Sequence, residues 1–127
     1  YYRALCGSQA PVLYSLAKGS NSFSQVARVI NMMEIDYSKK LDVEKLAGTA
    51  NMSVSAFHKA FKEITADSPL QYLKKIRLTR AKDLIVQRNM KAYLAADKVG
   101  YDSPSQFSRE FKRYFGQSPA EVIREVR

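Results

Sequence analysis

Cysteine is almost absent from this chain, and that scarcity narrows the possibilities first. The single residue, Cys6, cannot close an internal disulfide or build a thiolate cluster, so a reducing cytoplasm is the expected compartment. No apolar run approaches the roughly 18 residues needed to span a bilayer, and no signal-peptide pattern opens the chain. No membrane partner is expected, and the chain reads as soluble. Phosphate loops, nucleophile constellations and metal-ligand spacings are missing too, so the chain reads as a non-enzyme with no cofactor and no metal. Acidic residues are in short supply: 12 Asp and Glu face 21 Lys and Arg, a net charge of +9. That balance favours a polyanionic partner, either nucleic acid or an anionic membrane surface.

What is present is enough to fold. The 127 residues, 46% of them apolar, make one ordinary domain or two very small ones with a packed core. The first residue is Tyr rather than Met, which implies a fragment or an unrecorded start. Residues 1–22 differ from the rest: only Arg3 and Lys18 are charged, and Gly19 to Ser22 reads as a turn or linker. From Phe23 the period is helical, with Val26, Val29, Ile30, Met33 and Tyr37 on one stripe. Asp42 offers an N-cap for a short helix from Val43 to about Ala50 that buries Val43, Leu46 and Ala47. Ser53 caps a second short helix with Phe57, Phe61 and Ile64 inward, and the segment from Ala66 to Pro69 ends it.

Pro69 suits the first turn of a long helix carrying Leu70, Leu73, Ile76, Ala81, Leu84 and Ile85 to about Gln87, without internal Gly or Pro. The short-helix pattern then returns. Lys91 to Val99 forms a helix with Leu94 and Ala95 inward, Gly100 stops it, and Ser103 and Pro104 start another with Phe107, Phe111 and Phe115 as its apolar face. Gly116 to Pro119 closes that helix, and no segment reads as a strand pair. The expected fold is all-α: two helix-turn-helix subdomains, 23–69 and 90–127, joined by a connecting helix at 70–89.

The two short-helix pairs are written in nearly the same words. SVSAFHKAFKEITADSP from Ser53 and SPSQFSREFKRYFGQSP from Ser103 share seven identical positions. At about 100° per residue, Phe61 and Ile64 lie within about 40° of Phe57, while Ser55, His58, Lys59 and Lys62 fall toward the other side. In the second copy Ser105, Ser108, Arg109 and Lys112 face away from the phenylalanines in the same manner. A basic second helix after a tight turn is the pattern of a helix-turn-helix, whose second helix fits a major groove about 12 Å wide. One such helix alone reads better as a solvated surface face. Two copies with matching polar offsets favour the groove-binding reading.

Leu46-Ala47, Ser53, Phe57, Phe61-Lys62, Ser68-Pro69, Tyr72, Arg77 and Ala81 resemble the first half of the AraC-type DNA-binding domain. Leu94-Ala95-Ala96, Val99-Gly100-Tyr101, Ser103, Ser105, Phe107, Arg109, Phe111-Lys112 and Gly116-Gln117-Ser118-Pro119 resemble its second half and signature. Ala47 to Phe57 is ten residues and Ala96 to Phe107 eleven, matching a second turn one residue longer in that family. The resemblance covers about Phe23 to Arg127. It implies a bacterial transcriptional regulator, commonly an activator, with two recognition helices in successive major grooves of bent double-stranded DNA. It further implies contact with RNA polymerase, and an effector or dimerisation domain upstream, of which residues 1–22 would be the tail. Two departures stand out: Asn51 occupies a turn position where glycine is frequent, and Ala66 stands where the second copy has Gly116.

Roles follow by position and chemistry. Arg109 is the leading base reader, because its planar fork can meet guanine O6 and N7 together, and Lys59 is its counterpart. Ser55, His58, Ser105, Gln106 and Ser108 are further candidates for direct or water-mediated base contacts. Lys62, Lys112 and Arg113, with Ser53 and Ser103 at the helix starts, are expected at phosphates, which position without specifying. The different ridges, Ser55-His58-Lys59 against Ser105-Ser108-Arg109, imply an asymmetric operator half-site. Tyr101 and Tyr114 are expected to pack. Glu110, inside the second basic ridge, either pairs with Arg109 or Arg113 or excludes some base patterns. A helical module for RNA or for protein interaction is the alternative reading.

Overall fold

The computed structural model describes residues 20–126 and contains seven helices and no strand among them. They are α1 Ser20–Asp36, α2 Val43–Thr49, α3 Val54–Thr65, α4 Pro69–Gln87, α5 Ala92–Lys98, α6 Pro104–Phe115 and α7 Pro119–Val126. The all-α expectation holds, and α4 runs unbroken through Arg77 and Arg80. Ser20 to Ser22, expected in a turn, belong to α1; the rest of the expected appendage, up to Gly19, lies outside the described residues. The chain forms two compact units. The first holds α1 as far as Met32 together with Asp42–Pro69, and the second holds Met33–Leu41 together with Leu70 onward.

In the first unit, α2 packs on α3. Asp42 caps α2 by accepting the Lys45 N–H at 2.7 Å, and Ser53 caps α3 by accepting the Ala56 N–H at 3.2 Å. Each cap satisfies a donor that the first helical turn would otherwise leave unpaired, a contribution of about 1 kcal/mol. The turn between the helices closes when Asn51 N–H donates to Gly48 O and Met52 N–H to Ala47 O, both at 3.0 Å. This is a Schellman motif, and it puts Asn51 at φ 62°. Asparagine tolerates that left-handed conformation, so the missing glycine is accommodated. Phe57 and Phe61 are fully buried and meet edge to face with centroids 5.5 Å apart. Val26, Val29, Leu46 and Ala47 are buried as well, whereas Val43 and Ile64 are only half-buried.

The second unit repeats the device around a larger core. Gly100 N–H donates to Asp97 O and Tyr101 N–H to Ala96 O, again closing a Schellman motif. Ser103 caps α6 by accepting the Gln106 N–H at 3.2 Å, with Pro104 just inside the helix. Phe107, Phe111 and Tyr101 are buried with Leu78, Ala81, Ile85, Ala95, Ala96, Val99 and Val122, and Phe115 packs against this cluster. Ala96, rather than the expected Leu94, is the second buried residue of α5: Leu94 is 46% exposed. The buried edge is centred on Ala95 and extends to the Ala96 side rather than the Leu94 side, the side on which α5 packs against its neighbours. Likewise Leu70 is exposed at the start of α4, while Leu78 is buried.

Helix α7 was not anticipated. It starts with a reciprocal capping box: Ser118 N–H donates to Glu121 Oε1 at 2.7 Å and Glu121 N–H to Ser118 Oγ at 3.2 Å. The Ser118 bonds, backbone first, hold the Glu121 carboxyl below its ordinary range. Arg77 performs a different task on α4. Its guanidinium donates to Tyr37 O at 2.6 Å and to Lys39 O at 2.8 Å, so it ties down the turn that follows α1. Burial pulls the Arg77 pKa down, against the pull of Tyr101, Asp102 and Glu110.

Candidate nucleic-acid interface

Helices α3 and α6 are each twelve residues long and each is backed by two fully or almost fully buried phenylalanines. Burying the rings leaves the other face to solvent, because 3.6 residues per turn put Ser55, His58 and Lys59 away from Phe57 and Phe61. All three are exposed, as is Lys62 one turn on. With Val54, Glu63 and Ser68 they line a shallow depression of about 680 Å³. His58 touches the edge of the Phe57 ring, with centroids 6.5 Å apart.

On α6, Ser105, Gln106 and Arg109 are exposed and Ser108 is half-buried. Lys112 and Arg113 are exposed in the last turn, where their charges also oppose the negative end of the helix dipole, as Lys62 does on α3. Ser53 and Ser103 cap their helices through their hydroxyl oxygens. The structure thus gathers the expected residues of each copy on one side of its own helix.

Glu110 does not make the expected ion pair within its own helix. It pairs with neither Arg109 nor Arg113. The Tyr101 hydroxyl donates to its Oε1 at 2.6 Å, the Gln106 amide nitrogen donates to its Oε2 at 3.0 Å, and Lys74 of α4 lies 3.4 Å from the same oxygen. Burial opposes the Glu110 charge, but the two hydrogen bonds and the Lys74 ammonium together outweigh it and hold the carboxyl below its ordinary range. Tyr101 is pushed upward, by burial first and then by its bond to Glu110. Lys74 and the Tyr101 hydroxyl were missed in the sequence because neither lies on the helix that carries Glu110. Tyr114, expected to pack, is 45% exposed and only leans edge-on against Phe115.

A helix-turn-helix domain family matches residues 46–125. Among solved structures, a probable AraC family transcriptional regulator from Rhodopseudomonas palustris aligns over 82% of this chain and 98% of its own, with 25% identity and a TM-score of 0.74. The chain belongs to the AraC-type helix-turn-helix family. The DNA-binding domain of AdpA, solved in complex with a target DNA, is similar over 80% of this chain and 91% of its own, with 30% identity and a TM-score of 0.76. Among curated proteins, the RCS-specific transcriptional activator RclR of Escherichia coli is 36% identical over 85 residues, 67% of this chain. The AraC-type chain spans only 30% of the length of RclR and less than half of the other leading relatives. No described helix is long and apolar enough to cross a membrane, and no group of three potential metal ligands occurs among the described residues.

Proposed function

We propose that this chain binds double-stranded DNA sequence-specifically, as the DNA-binding part of a cytoplasmic bacterial transcriptional activator, with α3 and α6 as recognition helices in successive major grooves. The observation that carries this reading is the doubled helix: two twelve-residue helices, both capped by serine and backed by buried phenylalanine pairs, both presenting a polar and basic outer face. The similarity to the DNA-bound AdpA domain supports it. Arg109 and Lys59 are the leading base readers, joined by Ser55, His58, Ser105, Gln106 and Ser108; Lys62, Lys112 and Arg113, with Ser53 and Ser103 at the helix starts, meet phosphates. The chain works by binding rather than catalysis. Contacts with RNA polymerase, and effector binding or dimerisation by a region outside this chain, belong to the same proposal.

The test is selection of bound sites from random duplex DNA, followed by footprinting. The expected site is asymmetric and protected in two patches about one helical turn, some 34 Å, apart. A footprint one groove wide, an inverted repeat bound by two chains, or equal affinity for structured RNA would overturn the proposal, since side chains cannot read the deep, narrow major groove of an A-form helix.

A further inference from the structure

His58 is the single histidine of the chain, and it stands exposed on the outer face of α3. Histidine is the side chain that ordinarily changes its charge between pH 5 and 8. Asp and Glu ordinarily titrate below that window, and Tyr, Lys and Arg above it. The fold widens the gap: Glu110 and Glu121 are held below their ordinary range and Tyr101 is pushed up. Among the described residues, the charged groups lining the depression with His58 are Lys59, Lys62 and Glu63 of its own helix. The turn after α3 contributes Ser68, and neither Glu44 nor Lys45 of α2, which packs on α3, reaches the lining. The surroundings are thus net positive and suited to a polyanion.

A duplex meets such a face with acceptors almost everywhere. Phosphates supply one negative charge per about 1.7 Å of helix axis. In the major groove guanine O6 and N7, adenine N7 and thymine O4 all accept, whereas only adenine N6 and cytosine N4 donate. An imidazolium donates from both ring nitrogens, a neutral imidazole from one. The second copy has no such group, because Ser108 stands at the corresponding position of α6.

We infer that DNA binding through α3 takes up one proton at His58, so that the imidazolium is the form held against DNA and the affinity of the chain rises as the pH falls. This rests on α3 being a recognition helix. The sign follows from linkage: a partner that favours the protonated form of a group binds more tightly where that form is abundant. The logarithm of the association constant then changes per pH unit by the number of protons taken up, at most one here. Because Ser108 does not titrate, the linkage belongs to the first copy alone. The contacts of α3 therefore weaken relative to those of α6 as the pH rises.

The test measures the affinity of the whole chain, and of His58→Gln and His58→Lys, for a duplex obtained by site selection, from about pH 5.5 to pH 8 at constant ionic strength. The duplex carries 5′-hydroxyl ends, because a terminal phosphate itself titrates near about pH 6. An exposed helix position tolerates both substitutions. The α-amino group and Cys6, of types that ordinarily titrate near or above the upper end of the range, are common to all three chains, so the difference between wild type and His58→Gln isolates His58. Proton uptake is read independently by calorimetry in two buffers of different ionisation enthalpy. The wild-type chain should bind about threefold to tenfold more tightly at the acid end than at the alkaline end, the equivalent of half to one pKa unit. His58→Gln should lose both that rise and the proton uptake, and His58→Lys, whose charge is fixed, should also bind without it. The inference is overturned if wild-type affinity is flat with pH, if it falls toward acid, as a neutral imidazole accepting from a base would require, or if His58→Gln keeps the wild-type slope. Failure of the wild-type chain to enrich any duplex sequence would instead remove the DNA-binding reading itself.

Discussion

Replacing Gly100 by alanine should be among the most damaging single-methyl changes available in the second unit. Two costs combine. Gly100 sits at φ 101°, a conformation that residues with a Cβ rarely adopt, and forcing one there costs about 1–2 kcal/mol. The added Cβ would also lie 2.6 Å from the carbonyl oxygen of Ser38 and 3.0 Å from its carbonyl carbon and Cα. These are backbone atoms in a turn whose neighbouring carbonyls, Tyr37 O and Lys39 O, are held by Arg77. The turn cannot yield without loosening those bonds, so the overlap adds about 1–3 kcal/mol, the range of overpacking in well-packed sites. The expected total is about 2–5 kcal/mol. Gly116→Ala provides the calibration: its φ is 81°, but nothing lies within 4 Å of the new Cβ, so only the conformational cost of about 1–2 kcal/mol applies. Urea titrations of both variants, compared at equal slope, read the difference directly. Equal midpoints would refute the argument, because they would mean that the Ser38 turn moves aside freely.

Ala66 occupies the position of Gly116 in the first copy and adopts φ 69°, so Ala66→Gly should stabilise the chain by up to about 1 kcal/mol, a shift that a thermal melt would detect. Phe57→Ala and Phe107→Ala each empty a fully buried ring site and should cost about 3–5 kcal/mol by denaturant titration; a loss under about 1 kcal/mol would show that the site refills. On DNA, Arg109→Ala should cost about 1–3 kcal/mol and relax preference at one base pair, whereas Lys62→Ala should weaken all sequences alike and lower the salt slope by about one. Because the folded Glu110 carboxyl is held below its ordinary pKa, its stabilisation is present above the unfolded carboxylate value of about 4.3 and is lost as pH falls through the lower folded value. Urea midpoints across that range should therefore fall less steeply for Tyr101→Phe/Glu110→Met than for the wild-type chain.

Local signals carried most of the fold. Asp42, Ser53 and Ser103 announced helix starts because a cap is a contact three residues long, and the phenylalanine spacing announced the buried faces because 3.6-residue periodicity is written in the chain itself. Errors arose where the outcome depends on distant partners or on short helices. Leu94 and Ala96 flank Ala95 from opposite sides of α5, about 200° apart, and which of them is buried is decided by the neighbour that α5 packs against. The hydrogen bonds from Arg77 to Tyr37 O and Lys39 O join residues about forty apart, and nothing local marks them. Helix α7 was legible in principle, since Ser118 and Glu121 spell a capping box.

The candidate interface divides along the same line. Residues shared by the two copies, Ser53 and Ser103, Phe57 and Phe107, Phe61 and Phe111, Lys62 and Lys112, do the work that any such helix requires: capping, burial and a positive charge near the C-terminus. On the outer faces His58 stands against Ser108, Lys59 against Arg109 and Ala56 against Gln106, and on the inner flank buried Ala60 stands against the half-buried Glu110. The shared residues thus belong mostly to the scaffold, Ser55 and Ser105 apart, and the outer faces differ, as expected if the faces meet different base pairs. The sequence shows this partition, but it cannot show that Glu110 turns inward to Tyr101 and Lys74, because helix periodicity places Glu110 and Gln106 on the flank of the basic ridge. Only the packing of α6 against the turn after α5 and against α4 makes an acidic residue compatible with a surface built to meet phosphates: its charge is opposed by Lys74, and both its oxygens are occupied.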